Sequence, residues 1–205
     1  MEEENKIQLP TNSKVKVDSF YLKTNTSFIN LYCIKVTPIT QDTPKASILI
    51  FHSLFEDSSE YIPLATHLAA EGSFECYMID FRGFGYSSGT RAYVDLIELQ
   101  QDVFTLIQEV HNQNIQRQFT LPTFVITSSY SSNVVAGLLI NNPHLPLAGV
   151  IMCSPAFTED DRRSTLPIVD QMVGMCLGPL MHVKLLKQID CKKEQLNKPR
   201  NVSKR

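Results

Sequence analysis

Apolar segments of strand length alternate with segments of helical periodicity, and this alternation limits the folds that the chain can adopt. Continuous apolar runs lie at residues 46–52, 74–79, 122–126 and 147–152. Segments with apolar residues every three or four positions follow the first three runs, at 59–71, 93–110 and 133–140. Continuously apolar strands are covered on both faces, and strands separated by helices pair in parallel. We therefore expect an α/β fold, with a mostly parallel sheet and helices on both faces.

Two further strands are predicted before the first apolar run, at residues 15–22 and 27–36. The residues Thr24, Asn25 and Thr26 between them favour a turn, so these strands are expected to form an antiparallel hairpin. An antiparallel hairpin at the start is compatible with a parallel sheet in the rest of the chain.

The composition is that of an ordinary globular protein, with 43% hydrophobic and 20% charged residues. A net charge of -2 gives no general attraction to nucleic-acid phosphates. The five cysteines are widely spaced and form no C-x-x-C pair, so neither a metal site nor a disulfide framework is predicted. No apolar signal segment follows the acidic start, and the apolar stretch 166–186 is interrupted by polar residues. We expect a cytoplasmic protein without a cofactor.

Residues 184–205 are rich in lysine and arginine and contain only two acidic residues, Asp190 and Glu194. Two interpretations of this segment stay open. It is either a solvated, disordered tail or a weak attachment to an anionic membrane surface, which would make the protein peripheral at membranes.

Polar loops follow three of the predicted strands, at residues 52–56, 80–89 and 127–132. In open parallel sheets, functional groups lie in the loops after the carboxyl ends of the strands. The third loop contains several serines between a strand and a helix. A serine at such a sharp turn projects its hydroxyl above the sheet, and the amide that follows it can donate to a developing oxyanion.

A nucleotide-binding interpretation rests on Gly83 and Gly85 alone. The third glycine of the G-x-G-x-x-G pattern is replaced by Ser88, and no helix begins directly after it. The spacing therefore argues against a dinucleotide-binding domain.

Taken in order, the loops resemble those of the monoacylglycerol lipase and serine-aminopeptidase-like branch of the α/β-hydrolases, over residues 46–157. The family's His-Gly-x-x-Glu loop corresponds to residues 52–56, and its Gly-His-Ser-Met-Gly-Gly elbow corresponds to residues 127–132. Its Asp-x-x-Gly-x-Gly-x-Ser element corresponds to Asp80, Gly83, Gly85 and Ser87. Its following strand and Ser-Pro turn correspond to residues 147–155.

This resemblance implies hydrolysis of acyl esters, with an acylglycerol-type lipid as substrate and Ser129 as the nucleophile that forms an acyl-enzyme. It also implies that the backbone amides of Leu54 and Tyr130 bind the oxyanion. The implied layout is a hydrolase core at residues 1–157, a lid-like helical segment at 158–190 and a basic tail at 191–205. Plain helix packing is the alternative interpretation of the apolar stretch in the lid-like segment.

The chain departs from the family in the elbow and in the first loop. Glycines of the family are replaced by Ser53, Thr127 and Ser131, and the histidine before the nucleophile is replaced by Ser128. The elbow brings a strand close to a helix, so a residue without Cβ is favoured on both flanks. Ser131 is small enough to be tolerated on the helix side of the elbow, whereas the β-branched Thr127 on the strand side is expected to open the turn. The alternative for these serines is a polar turn with helix-capping hydroxyls.

Two other polar residues are expected to have structural roles. We expect His52 to hold its loop by a hydrogen bond, and Asp80 to tie together the glycine turn that follows it.

The acid and the base of a catalytic triad are not found in the sequence. In the family they follow two further strands beyond the lid, and the histidines after Ser129 are His144 and His182, neither of which follows a predicted strand. The last two strands are therefore expected to be missing, and catalysis is expected to be impaired, because a serine without a base is a poor nucleophile. The strand at 147–152 would then be an exposed apolar edge, covered either by the lid-like segment or by another chain.

Two hypotheses follow from the sequence. The chain is either a serine ester hydrolase or a non-catalytic, lipid- or partner-binding relative of one.

Overall fold

The structure is a computed structural model that describes residues 14–24, 29–40, 42–117 and 120–155. Its strands are β1 (Val15–Lys23), β2 (Asn30–Pro38), β3 (Ser47–Phe51), β4 (Glu75–Ile79), β5 (Thr123–Ser128) and β6 (Gly149–Cys153). Its helices are α1 (Ile62–Gly72), α2 (Leu96–Gln116) and α3 (Tyr130–Asn141), and a short 3-10 turn, Ser58–Tyr61, precedes α1. The strands form one sheet in the order β1-β2-β4-β3-β5-β6.

Four neighbouring strands, β4, β3, β5 and β6, pair in parallel. The β1–β2 hairpin is antiparallel and joins the sheet through an antiparallel pairing of β2 with β4. The mostly parallel sheet and the N-terminal hairpin predicted from the sequence are therefore confirmed. All residues of β3 and β4 are buried, as their continuous apolar character predicted.

The two faces of the sheet support two separate hydrophobic cores. On one face, Leu49 and Phe51 of β3 pack with apolar residues of α2 and α3. On the other face, Ile48 and Ile50 pack with Ile62 and the alanines of α1. Successive side chains of a strand point to opposite faces, so the consecutive apolar residues of β3 supply both cores. The predicted placement of helices on both faces is confirmed.

All three helices start three residues away from the predicted positions; α1 is preceded by the 3-10 turn, and side-chain hydrogen bonds decide the starts of α2 and α3. Helix α2 begins after Asp95, whose Oδ1 accepts the amides of Ile97 and Glu98 at 2.9 and 3.1 Å. This capping places the start three residues after the predicted position 93. Helix α3 begins at Tyr130 rather than at the predicted position 133, because the serines that follow bond to the preceding strand from within the first turn.

The edge of the sheet at β6 is partly open to solvent. Within the described residues β6 pairs with β5 alone, and the Ile151 side chain is 56% exposed. The predicted lid-like segment 158–190, the tail 191–205 and His182 lie outside the described residues. Among the residues that are described, no helix combines the length and apolar character needed to cross a membrane.

Candidate active site

A single residue, Ser129, connects the end of β5 to the start of α3. Its backbone has φ 48° and ψ −111°, a conformation that residues with a side chain rarely adopt. Its amide donates to the carbonyl of Cys153 at 2.9 Å, and its own carbonyl accepts the amide of Ser132 at 3.1 Å. Such a conformation costs about 1–3 kcal/mol and persists only where the surroundings fix it. The structure therefore places Ser129 at the sharp strand-to-helix turn that the sequence predicts.

The residues on both flanks of this turn are held by their hydroxyl groups. The Ser131 hydroxyl accepts the Ser128 amide at 2.9 Å and lies 3.0 Å from the carbonyl oxygen of Phe51, to which it can donate. The Thr127 hydroxyl lies 2.8 Å from that of Ser132. β5 stays paired with β6 through Ser128, so the expectation that Thr127 opens the turn is wrong. Its β-branch is tolerated because the hydroxyl finds a buried partner.

The strain at Ser129 predicts an unusual order of stability for two variants. Both Ser129→Gly and Ser129→Ala remove the hydroxyl, but only glycine relieves the positive φ. We expect the glycine variant to be more stable than the alanine variant by about 1 kcal/mol, once the extra flexibility of unfolded glycine is subtracted. Urea unfolding of the two proteins measures this difference.

The matched control for this order is Ser132, which lies inside α3. There both substitutions also remove a hydroxyl, but helix propensity favours alanine by about 1 kcal/mol. The same order of stability at Ser129 and at Ser132 would contradict the strain at the turn.

The candidate oxyanion amides follow two neighbouring strands of the sheet, β3 and β5. β3 and β5 pair in parallel with Phe51 opposite Thr127, so the loop 52–56 after β3 lies beside the turn at Ser129. Leu54 is in this loop, and Tyr130 is the first residue of α3. Neither amide donates a hydrogen bond to any residue within the described part of the chain. Neither amide is thus committed to another acceptor among these residues, and the resemblance implies that both bind the oxyanion.

His52 is buried, and both of its ring nitrogens are in use. Its Nε2 accepts the Phe81 amide at 2.9 Å, which assigns the proton to Nδ1, where it is donated to the Ser53 carbonyl at 2.6 Å. Burial lowers the pKa of His52, although the Ser53 carbonyl and nearby carboxylates act in the opposite direction. The expectation that His52 holds its loop is confirmed, and its nitrogens are not free to act as a base.

Asp80 connects the glycine turn after β4 to the start of α1. Its Oδ1 accepts the amide and the hydroxyl of Ser58 at 2.8 and 2.5 Å, and its Oδ2 accepts the Tyr86 amide at 2.7 Å. The Ser87 hydroxyl donates to the Asp80 carbonyl and accepts the Tyr32 amide. The expectation that Asp80 ties the turn together is confirmed.

Two carboxylates near the site were not assigned a role from the sequence. Glu56 Oε2 accepts the Ser53 amide at 2.8 Å and the Tyr61 hydroxyl at 2.7 Å. Asp102 of α2 forms a buried ion pair with Arg82 of the glycine turn, with 2.6 Å between Nη2 and Oδ1. Glu56 is the last residue of the motif at 52–56, so the sequence marks it as a candidate for a role in this loop. No spacing rule predicts the contact of Arg82 with Asp102.

Other chemistry of the described residues is limited. They contain no group of three or more histidine, cysteine or acidic side chains that could hold a metal ion. Within the same ranges, the Ser129 hydroxyl makes no hydrogen bond to a histidine or a carboxylate.

The part of the chain that the structure describes forms a six-stranded, mostly parallel sheet with a strained serine turn after β5, as in the α/β-hydrolase fold. The model of the family described as serine aminopeptidase, S33, matches residues 42–202, and the chain belongs to this family. The resemblance inferred from the sequence is thereby confirmed.

Solved structures support the same fold. A monoglyceride lipase from Saccharomyces cerevisiae aligns with a TM-score of 0.62 and 14% identity, over 82% of this chain and 54% of its own. A carboxyl esterase from Bacillus coagulans aligns with a TM-score of 0.61 and 18% identity, over 90% of this chain and 59% of its own. A predicted CIB-like hydrolase from Thermoplasma acidophilum aligns with a TM-score of 0.54 and 17% identity, over 71% of this chain and 66% of its own. The chain spans less than two-thirds of the length of each, and no curated protein matches it.

Proposed function

We propose that this chain carries the nucleophile and the oxyanion-binding amides of a serine hydrolase that acts on carboxylic esters. The observation that supports this most is the backbone of Ser129, with its positive φ at the carboxyl edge of the sheet. Strained residues of this kind cluster at active sites, because the surrounding structure must hold them against their preferred conformation. Membership of a family of serine hydrolases supports the same chemistry.

In this proposal the Ser129 hydroxyl oxygen attacks the carbonyl carbon of the ester. The carbonyl oxygen becomes an oxyanion and receives hydrogen bonds from the amides of Leu54 and Tyr130. The alcohol then leaves as its C–O bond breaks and it takes up a proton, and water later releases the acid from the acyl-enzyme. The proton of Ser129 must pass to a general base, which we place outside the described residues.

We propose an acylglycerol-type lipid as the substrate. Support comes from the similarity of the fold to a monoglyceride lipase and to a carboxyl esterase, both of which act on esters by their names. The apolar residues of 166–186 would contact an acyl chain, and the basic residues of 184–205 would favour weak contact of a cytoplasmic protein with an anionic lipid surface.

Covalent labelling tests the proposed nucleophile. A fluorophosphonate probe should label the native protein, and Ser129→Ala should abolish the labelling completely, because the probe reacts with an activated serine oxygen. Gel fluorescence after native incubation, with mass spectrometry of the labelled peptide, measures both results.

The control variant is Ser59→Ala, which removes an exposed hydroxyl from the 3-10 turn and should retain full labelling. Absence of labelling in the native protein, or labelling that persists in Ser129→Ala, would reject this nucleophile. The first of these results would favour the non-catalytic alternative, in which the fold binds a lipid or a partner without turnover.

A further inference from the structure

The loop that carries the Leu54 amide contains a residue with an unfavourable backbone conformation. Phe55, directly after Leu54, has φ 65°, which a residue with a large side chain adopts at a cost. Its side chain is 55% exposed, so apolar packing contributes only part of what fixes it. Other contacts must therefore hold the loop.

Glu56 supplies two of these contacts through one carboxylate oxygen. Oε2 accepts the amide of Ser53 at 2.8 Å and the hydroxyl of Tyr61 at 2.7 Å. The first bond closes the loop across Leu54 and Phe55. The second bond fixes the carboxylate to the end of the 3-10 turn that leads into α1. Hydrogen bonds to an ionised acceptor are about twice as strong as bonds between neutral groups.

Tyr61, which bonds to this carboxylate, lies near the strand end that precedes Ser129. Burial and the interaction with Glu56 raise the pKa of Tyr61 to about 12, while the Ser128 hydroxyl acts in the opposite direction as a hydrogen-bond partner. Ser128 is the residue directly before Ser129. The observed hydrogen bond of the Tyr61 hydroxyl is the one to Glu56, so Tyr61 holds the carboxylate beside the segment that precedes Ser129.

We propose that Glu56 is a positioning residue that sets the Leu54 amide relative to Ser129, an inference that rests on the proposed function. Because the Ser53 amide is committed to Glu56, the Leu54 amide is the next one along the chain that is open to the oxyanion. Glu56 acts by holding the loop. It neither attacks the ester nor takes part in a proton transfer.

Three variants separate this role from a general loss of stability. Glu56→Ala removes both hydrogen bonds. Glu56→Gln keeps a carbonyl oxygen that can accept from both Ser53 and Tyr61, so it should rescue the loop. Tyr61→Phe removes the bond to α1 and leaves the bond to the Ser53 amide.

Two measurements are made on each variant of the full chain. Hydrogen exchange of the backbone amides at 53–55 reports whether the loop is held, independently of any activity. The kinetics of labelling by a fluorophosphonate are separated into the maximal rate and the half-saturating concentration. We expect Glu56→Ala to raise the exchange and to lower the maximal rate about 100-fold, since displacement of a catalytic group by about 1 Å has an effect of this size. The half-saturating concentration should change little, Glu56→Gln should stay close to the native protein, and Tyr61→Phe should be intermediate.

Two results overturn the inference while the proposed function stands. They are unchanged exchange at 53–55 in Glu56→Ala, and raised exchange without any effect on the maximal labelling rate. A native protein that does not label at all rejects the proposed function and the catalytic part of the inference together. In that case raised exchange in Glu56→Ala with rescue by Glu56→Gln would still support the holding of the loop, and unchanged exchange would reject it.

Discussion

The Asp102→Ala variant should lose about 3–5 kcal/mol of the free energy of unfolding, the loss expected when one partner of a buried ion pair is removed. Asp102 is fully buried on α2. Its carboxylate accepts hydrogen bonds from Arg82 Nε, at 3.0 Å to Oδ1 and 3.1 Å to Oδ2, and from Arg82 Nη2, at 2.6 Å to Oδ1. It also accepts the Arg82 backbone amide at 3.1 Å. Without this carboxylate, the guanidinium is left in the interior with one remaining acidic neighbour, Glu98, at 3.5 Å. Thermal or urea unfolding measures the loss.

Arg82 cannot avoid this cost by losing its proton. Burial alone lowers the pKa of its guanidinium, but the hydrogen bonds and the charge of Asp102 outweigh burial and raise it. The group therefore stays charged in the native protein, and an arginine without its partner would still be charged near neutral pH.

The control is the double variant Arg82→Met with Asp102→Leu, which replaces the pair by apolar groups of similar size. It should recover most of the stability lost in Asp102→Ala, because no buried charge is left alone. A loss below about 1 kcal/mol in Asp102→Ala, the range of an exposed ion pair, would show that the pair is accessible to water in solution.

This ion pair illustrates which features the sequence could not predict. Arg82 lies in a recognisable glycine turn, and Asp102 lies on the third turn of a predicted helix. Nothing in the sequence around either residue predicts that the two form an ion pair. Helical periodicity places Asp102 among apolar neighbours such as Val103 and Leu106 without naming its partner. Pairs of this kind depend on how two elements pack, which local patterns do not encode.

The elements themselves were predictable because their signals are local. Strands β3 and β4 each have four consecutive apolar residues after a polar first residue, Ser47 or Glu75, and this pattern predicts burial on both faces. The starts of α2 and α3 were less accurate, since Asp95 and the serines near residue 131 decide them through individual hydrogen bonds. Such bonds shift a boundary by a turn without changing the periodicity.

The candidate site was predictable only in part. Motif order placed Ser129 at a turn, and the structure gives that residue the positive φ that such a turn requires. The same reasoning was wrong about Thr127, because it weighed the volume of the Cβ substituents and ignored the hydroxyl that bonds to Ser132. The contact of Glu56 with Tyr61 was missed, because the 3-10 turn between them leaves no periodic signal.

Hydrogen-bonded carboxylates at the carboxyl edge of the sheet share one arrangement. Glu56, Asp80 and Asp102 each accept at least one backbone amide from a loop that follows β3 or β4. Each also bonds to a side chain on a neighbouring segment, namely Tyr61, Ser58 and Arg82. The loops are therefore fixed by these polar contacts together with the apolar packing of Phe81 and Phe84, which are buried in the core.

The Gly85→Ala variant tests how tightly the Asp80 contacts are set, and it should lose about 3–5 kcal/mol of the free energy of unfolding, near the top of the range for single substitutions. Gly85 has φ 46°, and a Cβ built on it would lie 2.0 Å from Asp80 Oδ2. The buried carboxylate would have to move, and its bonds to Ser58 and Tyr86 would break with it. Gly137→Ala in α3 is the matched control, because its Cβ meets only the flexible end of Gln100, and it should be neutral or stabilising by up to about 1 kcal/mol. Equal stability of the two variants in urea would mean that the glycine turn adjusts freely, and that Asp80 does not tie it together.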